Sequence, residues 1–328
     1  MNKKLILTTL VLAAWSFPAQ IALAGDKPFA KTVPALTGAA PEGFTIGKGS
    51  TAYNSSIDGS IYKVDLRTGQ GEVLVPGEPV FDIFAGDCYK LGMRVDPRSN
   101  YLFVAGCLWG NAMVFDADTG EELMNYELAP FGTVINDLAI TREAVYFTDF
   151  TGPFLYRLPL AKNGRLPDGA AGTPIPLTSP NGDGPLTANG IVAMPNGDTL
   201  IIGDSRTASI YRVDPATGHS DRIIVDPPLV GFIDGIVLHK GMLYILTPAG
   251  DDPDGDFTGA DWIQVVALDK EMLTGTRVGI ITDPDMDGVA SGAMFGNSLY
   301  VNNARYNTFP GPDTEYWLTK LDINGVQP

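Results

Sequence analysis

The sequence has few histidines, cysteines and basic residues, and each shortage excludes a class of chemistry. Only 2 histidines and 2 cysteines occur in 328 residues. His219 and His239 both lie in glycine-bearing turns between predicted strands, so we expect them to be surface turn residues with no catalytic role. The G-x-S-x-G elbow of serine hydrolases with a Ser-His-Asp triad is also missing.

Positive charge is scarce as well. The chain has 22 basic and 38 acidic residues, which gives a formal net charge of -16. A protein of this charge would release few counterions from a phosphate backbone, so we expect no nucleic-acid partner. The acidity is compatible with a cation-binding protein outside the cytoplasm and equally with a solvated acidic surface.

Long apolar runs are missing beyond the N-terminus, so nothing predicts a membrane-spanning helix. The N-terminus itself has the pattern of a secretory signal: Lys3 and Lys4, an apolar stretch over 5–17, and small residues at 22–24. Residues 1–24 are therefore predicted to be a signal peptide and 25–328 an exported domain, periplasmic or secreted. We expect a monomer that acts on a small molecule and contacts no membrane after signal cleavage.

Export bears on the interpretation of the cysteines. Cys88 and Cys107 flank a predicted hairpin whose turn falls at 96–100, and the midpoint between them lies inside that turn. The two side chains are thus placed roughly across the hairpin. An oxidising compartment favours a structural disulfide between them.

The sequence is rich in internal repetition. Six copies of a strand-and-turn signature run from SIYKVDLRTG at 60–69 to WLTKLDI at 317–323, with no helical period between them. Upstream of each copy is a shorter phrase, in which glycine is the second residue in five of the six. The phrases begin at Glu42, Leu91, Asn136, Asn189, Asp234 and Ser291.

Repeats of this spacing predict an all-β fold, a six-bladed β-propeller. The last unit is one strand short of four, and the segment 30–36 is expected to supply that strand. The propeller would then be closed by the N-terminal strand, which protects its edges.

The innermost strand of each propeller blade starts beside the axis, so the first residue of each phrase is expected to point into the central channel. Four of these slots hold carboxylate or amide oxygens, at Glu42, Asn136, Asn189 and Asp234. Such oxygens suit Ca²⁺ or another hard divalent cation, whereas zinc favours sulfur or imidazole. The alternative is that they are ordinary turn residues before glycine.

The motifs PEGF (41–44), INDL (135–138), ANGI (188–191) and IDGI (233–236) resemble those of the gluconolactonase, regucalcin and diisopropyl fluorophosphatase family, a group of calcium-dependent six-bladed β-propeller hydrolases. The resemblance covers the mature chain. It implies that Glu42, Asn136, Asn189 and Asp234 hold a catalytic calcium ion. In some relatives the counterpart of Asn136 contacts the substrate instead.

The implied activity is hydrolysis of a lactone or another activated ester, with the metal polarising the carbonyl and Asp234 as base or nucleophile. Glu42 is the second candidate for that role. The histidine that some relatives place near the ion is missing here, which favours lactones over organophosphates. Two alternatives stay open: a non-catalytic exported binding or scaffold module with a structural calcium, and a strictosidine-synthase-like enzyme that performs no hydrolysis.

Loops after the second strand of each repeat are expected to surround the substrate. Asp149 and Asp204 occupy equivalent positions there and are predicted substrate contacts, with caps of strand-end turns as the alternative. Arg305 is predicted to meet a substrate carboxylate or oxyanion, and a solvated loop arginine is its alternative.

Three aromatic residues of these loops, Trp109, Phe150 and Tyr306, are candidate walls of the pocket. The acidic stretch at 251–256 is interpreted as a solvated lid, because it lacks the full spacing of a calcium loop.

Overall fold

Short β-rich runs alternate with glycine and aspartate turns along the chain, and the computed structural model is accordingly all-β. It describes residues 29–35, 40–78, 82, 85–179, 184–251, 257–308, 310–311 and 313–323. Within these ranges no helix is long and apolar enough to cross a membrane. The predicted signal peptide at 1–24 and the acidic residues at 252–256 lie outside the described residues.

The first strand among the described residues is β1 (Thr32–Pro34). Three four-stranded antiparallel sheets follow, and the strands of each pair in chain order. The first sheet comprises β2 (Pro41–Ile46), β3 (Thr51–Ser56), β4 (Ile61–Asp65) and β5 (Gly71–Val75). The second comprises β6 (Met93–Asp96), β7 (Tyr101–Ala105), β8 (Asn111–Asp116) and β9 (Glu122–Glu127). The third comprises β10 (Ile135–Ile140), β11 (Ala144–Asp149), β12 (Phe154–Pro159) and β13 (Thr173–Pro176).

An eight-stranded sheet follows. Its first half comprises β14 (Ala188–Ala193), β15 (Leu200–Asp204), β16 (Ser209–Val213) and β17 (Ser220–Asp226). Its second half comprises β18 (Ile236–His239), β19 (Met242–Asp251), β20 (Phe257–Leu268) and β21 (Thr274–Ile281). The spatial order is β14-β15-β16-β17-β21-β20-β19-β18, so the two halves join at their outer strands.

The last sheet combines both ends of the chain. It comprises β22 (Val289–Phe295), β23 (Ser298–Asn303) and β24 (Trp317–Asp322), and β1 pairs antiparallel with β24 at its outer edge. Val33 lies opposite Leu318 in this pair, and both are buried.

The expectation of a six-bladed propeller closed by the N-terminal strand is wrong. The described residues form four four-stranded sheets and one eight-stranded sheet. The eight-stranded sheet arises because β17 and β21 pair in parallel, with Ile224 opposite Thr274 and Asp226 opposite Thr276. A repeat in the sequence sets the strands within each unit, but it carries no information about hydrogen bonds between the outer edges of two units.

Hydrophobic clusters fill the space between neighbouring sheets. One cluster, for example, packs Phe103 of the second sheet against Phe147 of the third, and another packs Tyr300 of the last sheet against Phe44 of the first. The inner strands β2, β6, β10, β14, β18 and β22 contact one another in sequence around an axis. The fold is thus a β-propeller, and the starts of its inner strands meet at the axis.

Candidate metal and catalytic site

Three of the four predicted ligands lie where the inner strands are irregular. The antiparallel register slips around Glu42 in β2, around Asn136 in β10 and around Asn189 in β14. A β-bulge leaves a residue outside the ladder and redirects its side chain. Asp234 lies two residues before β18, where its N–H donates to the carbonyl of Leu246 at 2.9 Å.

Neighbouring repeat units hold the backbone of all four residues. In each case a group of the preceding unit donates a hydrogen bond to the backbone carbonyl oxygen of the predicted ligand. The donors and acceptors are Asn302 Nδ2 to Glu42 at 2.9 Å, Gly92 N–H to Asn136 at 2.8 Å, Thr148 Oγ1 to Asn189 at 2.9 Å, and Gly190 N–H to Asp234 at 3.0 Å. The site is therefore built by contacts around the axis and not by any single sheet.

The glycine of the repeated phrase is required by this close approach. A Cβ on Gly190 would collide with the carbonyl oxygen of Asp234, which the N–H of Gly190 bonds. A Cβ on Gly43 would likewise collide with the carbonyl oxygen of Leu91. Backbone atoms cannot move aside without a loss of stability, so a side chain at either position would destabilise the structure.

The side chains of the four predicted ligands line one cavity of about 330 Å³. The rest of its lining consists of Phe150, Phe232, Pro248 and Tyr306. The hydroxyl of Tyr306 lies 2.8 Å from Glu42 Oε2 and 2.8 Å from Asp234 Oδ2. One oxygen atom thus contacts both carboxyl groups, so the two carboxyls converge on a single point.

The hydrogen bonds of Tyr306 constrain the protonation of this group. A phenol has one proton and donates to one acceptor at a time. The second short contact is favourable only if the other carboxyl holds a proton and donates it to the phenol oxygen. The arrangement therefore suits one shared proton between Glu42 and Asp234.

Burial shifts the titration of these groups in the same direction. It raises the pKa of Glu42 to about 7, against a smaller lowering by the Tyr306 hydrogen bond. The pKa of Asp234 is raised well above its ordinary value by burial and then by the charge of Glu42. Burial also raises the pKa of Tyr306, whose phenol thus stays protonated. A cation that binds here has to displace a proton.

A third carboxyl group, that of Asp137, lies beside the site and was missed from the sequence. It occupies the position that is glycine in the other five phrases, and that break in the pattern is the signal for it. Asp137 is 5% exposed, and its Oδ2 lies 3.3 Å from Arg94 Nη2. Its Oδ1 has no hydrogen-bond partner among the described residues. Burial raises the pKa of Asp137, and Arg94 opposes that rise.

The predicted substrate contacts Asp149 and Asp204 are engaged in turns. Asp149 Oδ1 accepts hydrogen bonds from the N–H and the hydroxyl of Thr151 at 2.8 and 2.6 Å. Asp204 accepts from the N–H and the hydroxyl of Thr187 at 3.0 and 2.9 Å. Neither residue lines the cavity. These bonds favour the turn-cap interpretation, and contact with substrate stays a prediction.

Arg305 is anchored next to Tyr306. Its Nε donates to Asp287 Oδ2 at 2.9 Å, its Nη1 donates to the carbonyl of Glu315 at 2.8 Å, and its guanidinium lies 5.0 Å from the centre of the Trp317 ring. Its φ of 56° is in the left-handed region, which turns the chain sharply before Tyr306. The predicted contact of Arg305 with substrate is untested. The contacts shown here hold the loop that carries Tyr306.

The predicted disulfide is confirmed. Cys88 and Cys107 are bonded, with their Cα atoms 5.7 Å apart. Backbone hydrogen bonds of 3.1 and 3.0 Å join Cys107 to Ile135, the residue before Asn136. The disulfide therefore supports the start of the strand that carries Asn136, one of the predicted ligands.

Of the three predicted aromatic walls, Phe150 and Tyr306 line the cavity and Trp109 does not. Trp109 stacks on Tyr89, with ring centres 5.6 Å apart, and meets Phe131 edge-on at 5.4 Å. Phe232 is the cavity aromatic that the sequence did not indicate. Its position two residues before Asp234 was the available signal.

A larger cavity of about 670 Å³ lies at the other ends of the inner strands. Apolar residues such as Val95, Val192 and Val237 line it together with Arg94 and Arg98. Asp96 engages Arg98 in a 2.6 Å ion pair. Because this cavity has no convergent set of carboxyl and amide oxygens, we place the candidate chemistry in the smaller one.

The donor set fits a hard cation. Within the described ranges, no three acidic, histidine or cysteine side chains lie close enough to hold a metal ion by themselves. A cation here would therefore need the amide oxygens of Asn136 and Asn189 as well as the two carboxylates. Carboxylates and amides are the ligands that Ca²⁺ takes in proteins.

Fold and site together define a class, the β-propellers with an oxygen-lined axial site. Similar solved structures include a calcium-binding protein, regucalcin, from Agrobacterium tumefaciens, at TM-score 0.60 and 17% identity over 89% of this chain and 93% of that one. A Lactobacillus plantarum protein has TM-score 0.55 and 15% identity over 80% and 77%. A chain of the mitotic checkpoint complex has TM-score 0.56 and 10% identity over 98% and 100%.

Sequence comparison adds nothing to these likenesses: no protein-family model matches the chain, and no curated protein matches it. At such low identities the solved structures support the β-propeller fold alone. They leave the activity to be argued from the site.

Proposed function

We propose that this protein is a calcium-dependent hydrolase that acts on a lactone or another activated ester. One observation carries the proposal: the hydroxyl of Tyr306 lies 2.8 Å from a carboxylate oxygen of both Glu42 and Asp234. Two carboxyl groups from different sheets therefore reach one point inside a cavity. The likeness to regucalcin, a calcium-binding protein, supports calcium as the cation.

The residues that would hold the ion are Glu42, Asn136, Asn189 and Asp234, with Asn136 also a candidate substrate contact. Calcium bound there would polarise the carbonyl oxygen of the substrate. Two carboxylates balance the charge of a divalent ion, which makes its burial favourable. Arg94 Nη2 lies 3.3 Å from Asp137 Oδ2 and partly offsets the charge of this third carboxyl group.

Asp234 Oδ2 is the atom to which we assign proton transfer. Asp234 is a carboxylate that lines the cavity, so it can accept a proton from a water molecule held there. In the proposed reaction it takes a proton from water while the water oxygen bonds to the carbonyl carbon. The bond from that carbon to the leaving oxygen then breaks, and the alkoxide takes the proton back. Glu42 is the alternative base.

Tyr306 is a positioning residue in this scheme. Its phenol donates to Asp234 or Glu42, which fixes the orientation of the carboxyl groups. The anchoring of Arg305 to Asp287 and Trp317 holds this loop in place. Removal of the hydroxyl alone, as in Tyr306→Phe, keeps the aromatic wall and removes the constraint.

We also propose that the protein is exported. The disulfide between Cys88 and Cys107 is compatible with an oxidising compartment, and the signal-like N-terminus supplies the route.

The test is turnover of a panel of lactones and aryl esters in calcium and in EDTA. We expect EDTA to abolish turnover and calcium to restore it. Asp234→Asn should lower kcat/KM by about 100-fold or more, the usual contribution of a general base. Glu127→Gln, an exposed carboxylate on β9, is the matched control and should leave turnover unchanged.

Turnover that persists in EDTA, or that Asp234→Asn leaves intact, would refute the mechanism. Calcium binding without turnover of any panel member would favour the second candidate, a propeller module with a structural ion.

A further inference from the structure

We propose that the substrate carries an apolar group, aromatic or aliphatic, next to its reacting carbonyl, and that Phe150 and Phe232 bind this group. The reaction rests on the proposed function, but the claim concerns binding and is tested separately. It follows from the way polar and apolar atoms divide the lining of the 330 Å³ cavity.

All polar side chains of the described lining belong to the ion site. They are Glu42, Asn136, Asn189, Asp234 and the hydroxyl of Tyr306. The other lining residues, Phe150, Phe232 and Pro248, have no polar side-chain atom. When the carbonyl of a substrate reaches the ion site, the part of the substrate next to that carbonyl therefore contacts only the apolar side chains of the lining.

Phe150 and Phe232 form an aromatic wall of the cavity, and the backbone around them holds this wall in place. The N–H of Phe150 donates to the carbonyl of Val134 at 2.9 Å. Phe232 precedes Ile233, which is fully buried and whose carbonyl accepts a hydrogen bond from Ser205. The two rings lie 6.3 Å apart, tilted by 50°. A preformed wall loses little conformational entropy when a ligand binds.

Exposure of this wall favours an apolar ligand. Phe232 is 42% exposed although it borders the cavity. A ligand that covers its ring removes apolar surface from water, which is favourable at about 25 cal/mol per Å².

A polyhydroxylated lactone would be bound poorly by the same wall. Each hydroxyl that faces Phe150 or Phe232 loses its hydrogen bonds to water and gains none. The charged groups that the sequence offered for such hydroxyls or for a carboxylate are engaged elsewhere: Asp149 and Asp204 in turns, and Arg305 with Asp287. The cavity volume lies at the low end for ligand sites, so the apolar group is small.

Lactams provide the test, because they keep the ring and carbonyl of a lactone and resist hydrolysis. Three six-membered lactams are compared by titration calorimetry on the full exported chain with saturating calcium. Dihydroquinolinone carries a fused benzene ring, gluconolactam carries hydroxyls, and valerolactam carries neither. We expect dihydroquinolinone to bind about tenfold or more tightly than gluconolactam, the scale at which apolar pockets discriminate.

Variants of Phe232 test whether the aromatic wall causes the preference for dihydroquinolinone over gluconolactam. Phe232→Ser should remove it, whereas Phe232→Leu, which keeps an apolar side chain, should retain it. Phe131→Ser is the matched control, because Phe131 is a 73% exposed aromatic that packs on Trp109 and does not line the cavity. Circular dichroism of each variant checks that it is folded.

Three results would overturn the inference: equal or tighter binding of gluconolactam, no binding of dihydroquinolinone, or a preference that Phe232→Ser leaves unchanged. Turnover data separate this inference from the proposed function. A calcium-dependent enzyme that prefers sugar lactones overturns the inference alone, and tight dihydroquinolinone binding without any turnover overturns the proposed function alone.

Discussion

Arg94 Nη2 lies 3.3 Å from Asp137 Oδ2, so a guanidinium partly offsets the charge of the third carboxyl group beside the axial site. Arg94 also donates to the carbonyl of Met93 at 2.7 Å. The charge of Asp137 raises the pKa of both Glu42 and Asp234. The pair thus limits the repulsion that a cluster of three carboxyl groups would otherwise generate.

Removal of one partner of the Arg94–Asp137 pair should destabilise the folded protein. Arg94→Met leaves Asp137 buried and unpaired, so we expect the free energy of unfolding to fall by about 3 kcal/mol. Asp137→Asn in the same chain should restore part of it, because it removes the unpaired charge. Urea unfolding of the two single variants and the double variant measures both effects.

An exposed ion pair provides the control for this cycle. Lys48 Nζ lies 3.6 Å from Asp118 Oδ2, and the two side chains are 65% and 63% exposed. Lys48→Met should lower the free energy of unfolding by less than about 1 kcal/mol. Equal losses for Arg94→Met and Lys48→Met would contradict a structural role for the buried pair.

The tight contacts between inner strands give a second prediction. Gly190→Ala should lower the free energy of unfolding by about 2 kcal/mol and weaken calcium binding, because the new Cβ displaces the carbonyl of Asp234. Gly152→Ala is the control, since the nearest atom to its Cβ would lie at 3.4 Å, an ordinary contact. Calorimetric titration with calcium and urea unfolding measure the two effects, and a Gly190→Ala protein with unchanged affinity would refute this packing account.

The disulfide should contribute measurably to stability. It closes a loop with a sequence separation of 19. Loops of this length predict a loss of about 3 kcal/mol when both cysteines are replaced by serine. Thermal unfolding of the double variant checks the loss. Reduction of the native protein should add two hydrogens to its intact mass, and an unchanged mass would contradict the bond.

Stability should depend on pH in a direction set by Glu42. Its pKa is about 7 in the folded protein, against an ordinary value of 4.5. Between these values the folded state binds more protons than the unfolded state, so the ion-free protein loses stability as pH rises from 4.5 to about 7. Calcium displaces the proton, so saturating calcium should reduce or reverse this loss.

Urea unfolding at several pH values, in EDTA and in calcium, tests whether stability falls as the pH rises. Glu42→Gln should reduce this pH dependence in EDTA, and the raised pKa of Asp234 should account for what remains. Tyr306→Phe should extend the loss to higher pH, because the Tyr306 hydrogen bond lowers the pKa of Glu42. Stability in EDTA that rises over this pH range would contradict the assignment.

The sequence predicts the positions of the four candidate ligand residues because a repeat fixes them. Once the phrases at Asn189 and Asp234 are aligned, the fold has to bring their first residues to the axis, and the structure places both on one cavity. For Tyr306, the sequence predicts only a place in the wall of the pocket. Its contact with both carboxyl groups depends on a sharp turn at Arg305 that no local pattern indicates.

Two other features depend on long-range pairing, which a repeat does not encode. The ion pair of Asp137 joins residues from two sheets, 43 positions apart in the chain. The parallel pairing of Ile224 with Thr274 joins the outer edges of two units and produces the eight-stranded sheet. Both are decided by how neighbouring units pack.

Calcium binding to the native protein and to Asp234→Asn is the most direct test of the central claim, that the axial oxygens form a calcium site. A ligand that binds only the folded state raises the unfolding temperature. The account predicts that calcium raises the Tm of the native protein and of the Glu127→Gln control, that EDTA reverses the rise, and that Asp234→Asn shows none. A native protein whose Tm calcium leaves unchanged, or an Asp234→Asn variant stabilised as much as the native protein, would contradict it.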